Sequence, residues 1–269
     1  EIITALNSFH GRTLGTVAAT GQPDYQENFK PLLPGFVHVP YNDFEQIKKA
    51  TTDKTVAILL EPVQGEGGVN VPDQEYFRNI REWCDENNLL LILDEVQTGV
   101  GRLGKLFGYQ LFDIEPDVMA VAKGIGSGFP MGACLSTNIS SVGMIKGIHG
   151  STFGGNPTSM AAANAVFDIV EKTSFLKHVQ EIGKYFKDSL VSLGQETNVF
   201  GEVRGMGLLV GIVCNITNTD LVKGLENNGL LTVAAGDNVV RFLPPLITEK
   251  HHVDEAVSIL KDVCRQLST

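Results

Sequence analysis

Asp117-Val-Met-Ala-Val-Ala-Lys123-Gly-Ile-Gly-Ser-Gly-Phe-Pro130 is an apolar run, a single lysine and then a glycine-rich turn. The short apolar run, bounded by turn signals, predicts a buried strand over Val118–Ala122. The lysine stands at the strand's end, with backbone freedom just beyond it. An ammonium is costly to bury unless it is paired or chemically changed. A lysine at the margin of a core is therefore a candidate for a depressed pKa and for Schiff-base chemistry. Position alone would more often mean a solvated loop lysine, so other residues must decide.

A second apolar run, Leu89-Leu-Leu-Ile-Leu-Asp94-Glu95-Val96-Gln97, ends in acid. Open α/β sheets present ligands to the carboxyl ends of their strands. Two such strands would bring Asp94 and Lys123 to one edge. An acid for a ring nitrogen plus a lysine for a Schiff base is the pair that pyridoxal phosphate (PLP) requires.

The composition allows an enzyme of this kind and excludes others. A chain of 269 residues, 43% hydrophobic and 19% charged, can bury a sizeable core in one large or two smaller domains. Its 31 acidic and 21 basic residues give a formal charge of −10. That balance argues against a nucleic-acid partner and against an anionic membrane surface. Cys84, Cys134, Cys214 and Cys264 form no CxxC pair, so neither a metal site nor a disulfide framework is expected. Reduced thiols in a cytoplasmic protein fit that usage. No apolar run has membrane-spanning length, and no signal peptide is recognisable. The opening Glu1-Ile-Ile-Thr-Ala-Leu starts inside a strand-like pattern without a methionine, so a longer parent chain is expected.

Strands are predicted at Ile2–Leu6, Phe36–Val39, Val56–Leu60, Leu89–Leu93 and Val118–Ala122, with an amphipathic helix from Tyr76 to Glu86 introduced by Pro72-Asp73. Alternation of strands with helices implies an α/β fold with a mostly parallel sheet. Beyond Asn156-Pro157 the pattern becomes helical, and then a second unit follows. It carries strands at Val203–Val213 and Asn238–Phe242 and a terminal helix from Val253 to Leu267. The expected organisation is a large α/β domain over 1–155, a linking helix region over 156–195 and a smaller α+β domain over 196–269.

Six segments together resemble the class III, fold-type I aminotransferases. They are Phe9-His-Gly-Arg-Thr13, Glu61-Pro-Val-Gln-Gly-Glu-Gly-Gly68, Leu93-Asp-Glu-Val-Gln-Thr-Gly-Val-Gly-Arg102, Ala122-Lys-Gly124, His149-Gly-Ser-Thr-Phe-Gly-Gly-Asn-Pro157 and Arg241-Phe-Leu-Pro-Pro245. They occur in the family's order over nearly the whole chain, and look most like the acetylornithine type, with the ornithine type close behind. The family's Gly-Thr loop, which cradles the cofactor phosphate upstream of the Phe9–Thr13 segment, has no counterpart in these residues.

The resemblance implies roles. Lys123 would form the Schiff base and move the proton, and Asp94 would pair with the pyridine nitrogen. Val96 and Phe9 would pack on opposite ring faces, and Gln97 would hydrogen-bond the ring hydroxyl oxygen. Arg12 would hold a substrate carboxylate in its planar fork. Ser151 would lie near the substrate, and Thr152 would reach the phosphate held by a neighbouring subunit. Glu66 and Arg241 would form an ion pair that opens to admit an α-carboxylate. Glu95 is read as a solvated or ion-paired acid, and His10 as structural. The implied assembly is a homodimer with shared sites. The implied reaction converts N-acetylornithine and 2-oxoglutarate into N-acetylglutamate semialdehyde and glutamate, in arginine biosynthesis. Ornithine, 4-aminobutyrate and glutamate-1-semialdehyde chemistry are the competing reactions.

Two rival readings come from other classes. Gly99-Val-Gly-Arg-Leu-Gly104-Lys105 fits GxxxxGK, but Leu106 stands where a magnesium-binding hydroxyl is needed, and the acid strand precedes the loop. A truncated, inactive paralogue is the non-enzymatic alternative; the retained Lys123, Asp94, Arg12 and Thr152 speak against it.

Overall fold

The computed structural model describes residues 1–268. The chain divides into two compact units. The first comprises Glu1–Pro62, Pro72–Val100 and Lys105–Lys172; the second comprises Val63–Val71, Gly101–Gly104 and the chain from Thr173.

The first unit runs β1 (Ile2–Ala5), α1 (Leu14–Ala19), α2 (Pro23–Gln26), β2 (Phe36–Val39), α3 (Phe44–Ala50), β3 (Ala57–Leu60), α4 (Tyr76–Asn87), β4 (Leu90–Asp94), β5 (Val118–Ala122), β6 (Gly132–Ser136) and α5 (Pro157–Val170). Its sheet has the order β2-β1-β3-β4-β5-β6. The first five strands are mutually parallel, and β6 pairs antiparallel with β5. The expected α/β fold with a mostly parallel sheet is therefore present. Ile3, Ile58, Leu60, Leu91 and Leu93 are fully enclosed; the parallel register and the period of two put all five on one face of the sheet, which lies in the core. In α4, Tyr76, Phe77, Ile80 and Cys84 are buried on one stripe. The helix ends at Asn88, whose φ of 55° is the left-handed cap that asparagine tolerates.

The second unit runs α6 (Thr173–Gly194), β7 (Phe200–Met206), β8 (Leu209–Cys214), α7 (Asn218–Asn227), β9 (Val233–Ala235), β10 (Val239–Phe242) and α8 (Lys250–Leu267). Its antiparallel sheet has the order β7-β8-β10-β9. Phe186 and Leu190 of α6, Phe200, Val210 and Ile212 of the sheet, and Leu260 and Val263 of α8 form one core. Val240 and Phe242 of β10 belong to that core, so the period-two alternation of a strand turns Arg241 to the opposite face.

Three expectations about secondary structure change. The helix expected over 156–195 is two helices, Pro157–Val170 and Thr173–Gly194, with a break at Glu171 and Lys172. The strand expected over Val203–Val213 is the β7–β8 hairpin. Its turn is set by Gly207, at φ 54°, where an added Cβ would stand 2.6 Å from the Arg102 carbonyl oxygen. Strand β6 was not predicted, because its five residues are all exposed and show no alternation. Gly207→Ala therefore combines backbone strain with a steric clash. It should cost about 2–4 kcal/mol, read from denaturant unfolding of the protein.

Candidate active site

Four strands of the first unit deliver side chains to the same carboxyl edge. Beyond β1 come Phe9, His10 and Arg12, beyond β3 Glu61, at the end of β4 Asp94, and immediately after β5 Lys123. The β4–β5 register pairs Asp94 with Ala120, and Glu95 N–H donates to the Ala120 carbonyl at 2.9 Å. The parallel sheet thus brings Asp94 and Lys123 to one edge, as the sequence predicts.

Asp94 is 8% exposed, and among the described residues each carboxylate oxygen accepts one hydrogen bond. Val96 N–H donates to Oδ1 at 3.1 Å, and His10 Nδ1 lies 2.9 Å from Oδ2. Each oxygen keeps a further lone pair for another donor. Glu95 is fully buried, so it is neither solvated nor, among the described residues, ion-paired. Its Oε1 accepts from Tyr109 N–H at 2.8 Å and its Oε2 accepts from the Thr98 hydroxyl. Burial pushes the Glu95 carboxyl upward, and these donors pull it partly back. The tight turn that follows closes through Gly99 N–H to the Glu95 carbonyl at 2.9 Å, leaving Val96 and Gln97 half-buried.

Lys123 is exposed, not held in the core as the sequence argument assumed. What distinguishes the residue is its backbone, at φ 47°, a conformation uncommon for any side chain but glycine and often found at functional sites. Immediately beyond, an added Cβ at Gly126 would stand 2.2 Å from the Phe129 carbonyl oxygen, so the tight turn needs glycine there. An accessible amine and a buried carboxylate with free lone pairs at one sheet edge fit a PLP ring.

Phe9 N–H donates to Glu61 Oε2 at 3.2 Å, and the Phe9 ring meets Tyr25 edge-on at 5.3 Å. The exposed Arg12 lays its guanidinium over both rings, 5.4 Å from Phe9 and 4.4 Å from Tyr25. That cation–π seat limits the orientations available to the fork. Ser151 and Thr152 lie on an exposed turn ahead of α5, and α5 packs on the Lys123–Ile125 turn. The structure does not hydrogen-bond either hydroxyl to Asp94 or Lys123.

In the second unit, Arg241 donates from one terminal nitrogen to Glu66 Oε1 at 3.0 Å. The Arg241 side chain is 5% exposed and that of Glu66 24%. Both ends of the pair are anchored by backbone. Gly236 N–H donates to the Glu66 carbonyl at 2.8 Å, and β10 fixes Arg241 against β8 and β9. Arg102 donates to the Pro244 carbonyl at 2.6 Å and to that of Leu208 at 3.0 Å, so it braces the loop that follows Arg241. Burial without a carboxylate lowers the Arg102 pKa to about 10.

The nucleotide-loop reading fails structurally. A short 3-10 turn at Gly108–Leu111, rather than an α-helix, follows Lys105, so no helix N-terminus is available to hold phosphates. The sequence reading missed His10, Tyr25 and Glu61 as members of the edge. Tyr25 stands in no periodic pattern, and only the resemblance of Phe9–Thr13 could have drawn attention to His10. The described residues hold no group of three or more histidines, cysteines or acids fit for a metal, and no helix long and apolar enough to cross a membrane.

The family model for class-III aminotransferases matches residues 1–264. The acetylornithine aminotransferase of Brucella melitensis is 50% identical over 269 residues, covering 100% of this chain and 67% of its own length. The N-acetylornithine aminotransferase of Stenotrophomonas maltophilia superposes with a TM-score of 0.82 at 32% identity, covering 99% of this chain and 66% of that one. The ornithine aminotransferase of Toxoplasma gondii, whose active site is partly occupied by PLP, superposes with a TM-score of 0.93 at 31% identity over 100% of this chain and 66% of its own. This chain thus spans about two thirds of the length of these relatives. These neighbours share the α/β architecture of fold-type I PLP enzymes, and PLP is the cofactor that the family implies. With its model matched from the first residue to 264 and half of all positions shared with a curated acetylornithine aminotransferase, the chain belongs to the class-III aminotransferases, the PLP-dependent transaminases.

Proposed function

We propose that the protein transfers the side-chain amino group of N2-acetyl-L-ornithine to 2-oxoglutarate. The products are N-acetyl-L-glutamate 5-semialdehyde and L-glutamate, a step of arginine biosynthesis. The observation that carries this reading is the identity of 50% and 45%, along essentially the entire chain, to the curated acetylornithine aminotransferases of Brucella melitensis and Methanocaldococcus jannaschii.

Bound PLP supplies an electron sink for charge developing at the substrate carbon. The chain's own residues do the rest. Lys123 Nζ would tether the cofactor and then take and return a proton at the substrate carbon. Asp94 would accept from the ring N–H and hold that proton on the ring. Val96 and Phe9 would confine the ring faces, and Gln97 would donate to the ring hydroxyl oxygen. Arg12 holds the carboxylate of the acetylated donor. Thr152 serves the phosphate of a second subunit, with Ser151 near the substrate, so the working unit is a cytoplasmic homodimer. Glu66 closes over Arg241 while the amine donor is bound, and moves aside when Arg241 takes the α-carboxylate of glutamate or 2-oxoglutarate.

The test is a comparison of amine donors at fixed 2-oxoglutarate, using the full-length protein with PLP and following glutamate formation. N-Acetylornithine should exceed ornithine and 4-aminobutyrate in kcat/KM by about tenfold or more. A preference for ornithine would replace the substrate assignment, and no glutamate from any donor would overturn the proposed activity. Glu66→Ala should lower KM for 2-oxoglutarate, by up to about tenfold, because Arg241 no longer has to be released first. An unchanged or raised KM would remove the switch.

A further inference from the structure

Arg204 and Arg241 stand in one row across the second unit's sheet, on the face turned away from its core. The register pairs Arg204 with Gly211 and Gly211 with Arg241, and directly paired residues share a face. The loop that carries Glu66 belongs to the same unit and lies across that row. An added Cβ at Gly211 would stand 2.9 Å from Val69 Cγ2, so the fully buried Val69 sits over the glycine between the two arginines. Gln64 and Asn70 close the loop, the amide of each donating to the carbonyl of the other at 3.1 Å. Arg241 meets Glu66 of that loop at 3.0 Å, and Arg204 meets its far end.

Arg204 is placed to hold rather than to release. Its Nε and Nη2 donate to the two carboxylate oxygens of Glu202 at 2.9 and 3.1 Å, and Glu202 lies two residues back on the same face of β7. That fork fixes the guanidinium plane and aims Nη1 at the loop. Nη1 donates to Asn70 Oδ1 at 2.9 Å and to the Gly68 carbonyl at 3.3 Å, and it lies 3.5 Å from Asp237 Oδ2 in the β9–β10 turn. The same turn meets the loop backbone to backbone. Gly236 N–H donates to the Glu66 carbonyl at 2.8 Å, and an added Cβ at Gly236 would stand 2.8 Å from the Gly67 carbonyl oxygen. The backbone of Glu66 is therefore held from both sides, while its side chain, 24% exposed, keeps room to move.

We infer that Arg204 is a positioning residue, which pins the 64–70 loop to the β9–β10 turn and so makes the opening of the Glu66–Arg241 pair a side-chain movement on a fixed backbone. The inference rests on the proposed switch at Glu66 and Arg241. It goes beyond that switch in assigning the residue that sets how firmly it closes.

Two measurements test it, and the first needs neither cofactor nor substrate. Arg204→Met keeps an apolar stem and removes the donors. In the cofactor-free full-length variant, the amides of Gln64, Asn70 and Gly236 should exchange about tenfold faster than in wild type, while those of β8 keep their wild-type rates. Unchanged exchange at the three amides would overturn the inference, whatever the enzyme turns over. So would an acceleration that extends through β8, the sign of a general brace of the sheet. In the PLP-loaded protein, Arg204→Met should lower KM for 2-oxoglutarate by about twofold to fivefold, because Glu66 is no longer held in its closed position over Arg241. In a Glu66→Ala background the same substitution should leave that KM where Glu66→Ala alone puts it, which a merely structural role would not predict. An equal fall in both backgrounds, or no fall where Glu66 is present, would overturn the inference. If wild-type protein forms no glutamate from any donor, the proposed function falls, and the exchange rates still decide whether Arg204 pins the loop. If Arg204→Met does not fold, Asn70→Ala, which removes the loop's side-chain acceptor and leaves the arginine, carries the decision through the same exchange and KM readings.

Discussion

Lys123→Ala should abolish transamination while leaving the protein folded. The two halves of that expectation have separate physical sources. Lys123 is exposed and lies beyond the last residue of β5, so its removal opens no cavity. Surface truncations of that kind stay within about 0.5 kcal/mol of wild type. Alanine inherits the φ of 47°, and so adds little to the strain already present. Turnover, in contrast, loses the group that tethers the cofactor and moves the proton. Proton transfer alone contributes about a hundredfold to ten-thousandfold, so a fall of about ten-thousandfold in kcat is expected, with an unchanged thermal unfolding midpoint. A variant with normal turnover would remove Lys123 from the chemistry. A variant that fails to fold would show that the turn, not the amine, is what the lysine supports.

Asp94→Asn should also be severe, for a different reason. The amide keeps the shape at the end of β4 but replaces an anion with a neutral group, and one of its two heavy atoms becomes a donor. Val96 N–H and His10 Nδ1 both converge on the wild-type carboxylate, so one of the two contacts in the variant faces an N–H instead of an oxygen. The ring nitrogen would also lose its counter-charge, which weakens the ring as an electron sink. A drop in kcat of about a hundredfold to ten-thousandfold is expected, with KM for both substrates less affected. A drop confined to KM would instead make Asp94 a substrate contact.

The architecture was readable where the physical signal is local. Phe36–Val39 and Val118–Ala122 have the bounds read from their apolar runs, because each run is short and bounded by turn residues. Reading failed where the decisive contact is remote. The β7–β8 turn depends on the closeness of the Arg102 and Leu103 backbone to Gly207, which no pattern between Val203 and Val213 reveals. Strand β6 has no covered face, and so no alternation to read. At the candidate site, Asp94 and Lys123 were legible because each closes an apolar strand. His10 was not, because its partner is 84 residues away. Lys123 was singled out by its place after an apolar strand and by the motifs that accompany it, and its left-handed backbone is invisible to composition. Glu95 looked like a surface acid beside a functional one. The Thr98 hydroxyl and the Tyr109 amide, which let it stay buried, lie in a turn whose shape emerges only in three dimensions.

Borohydride reduction of the full-length protein loaded with PLP, followed by mass-spectrometric mapping of the modified peptide, addresses the central claim most directly. The account predicts a single reduced pyridoxyl adduct on Lys123 and none in Lys123→Ala. An adduct on another lysine, or no adduct in protein that still forms glutamate from an amine donor, would contradict it.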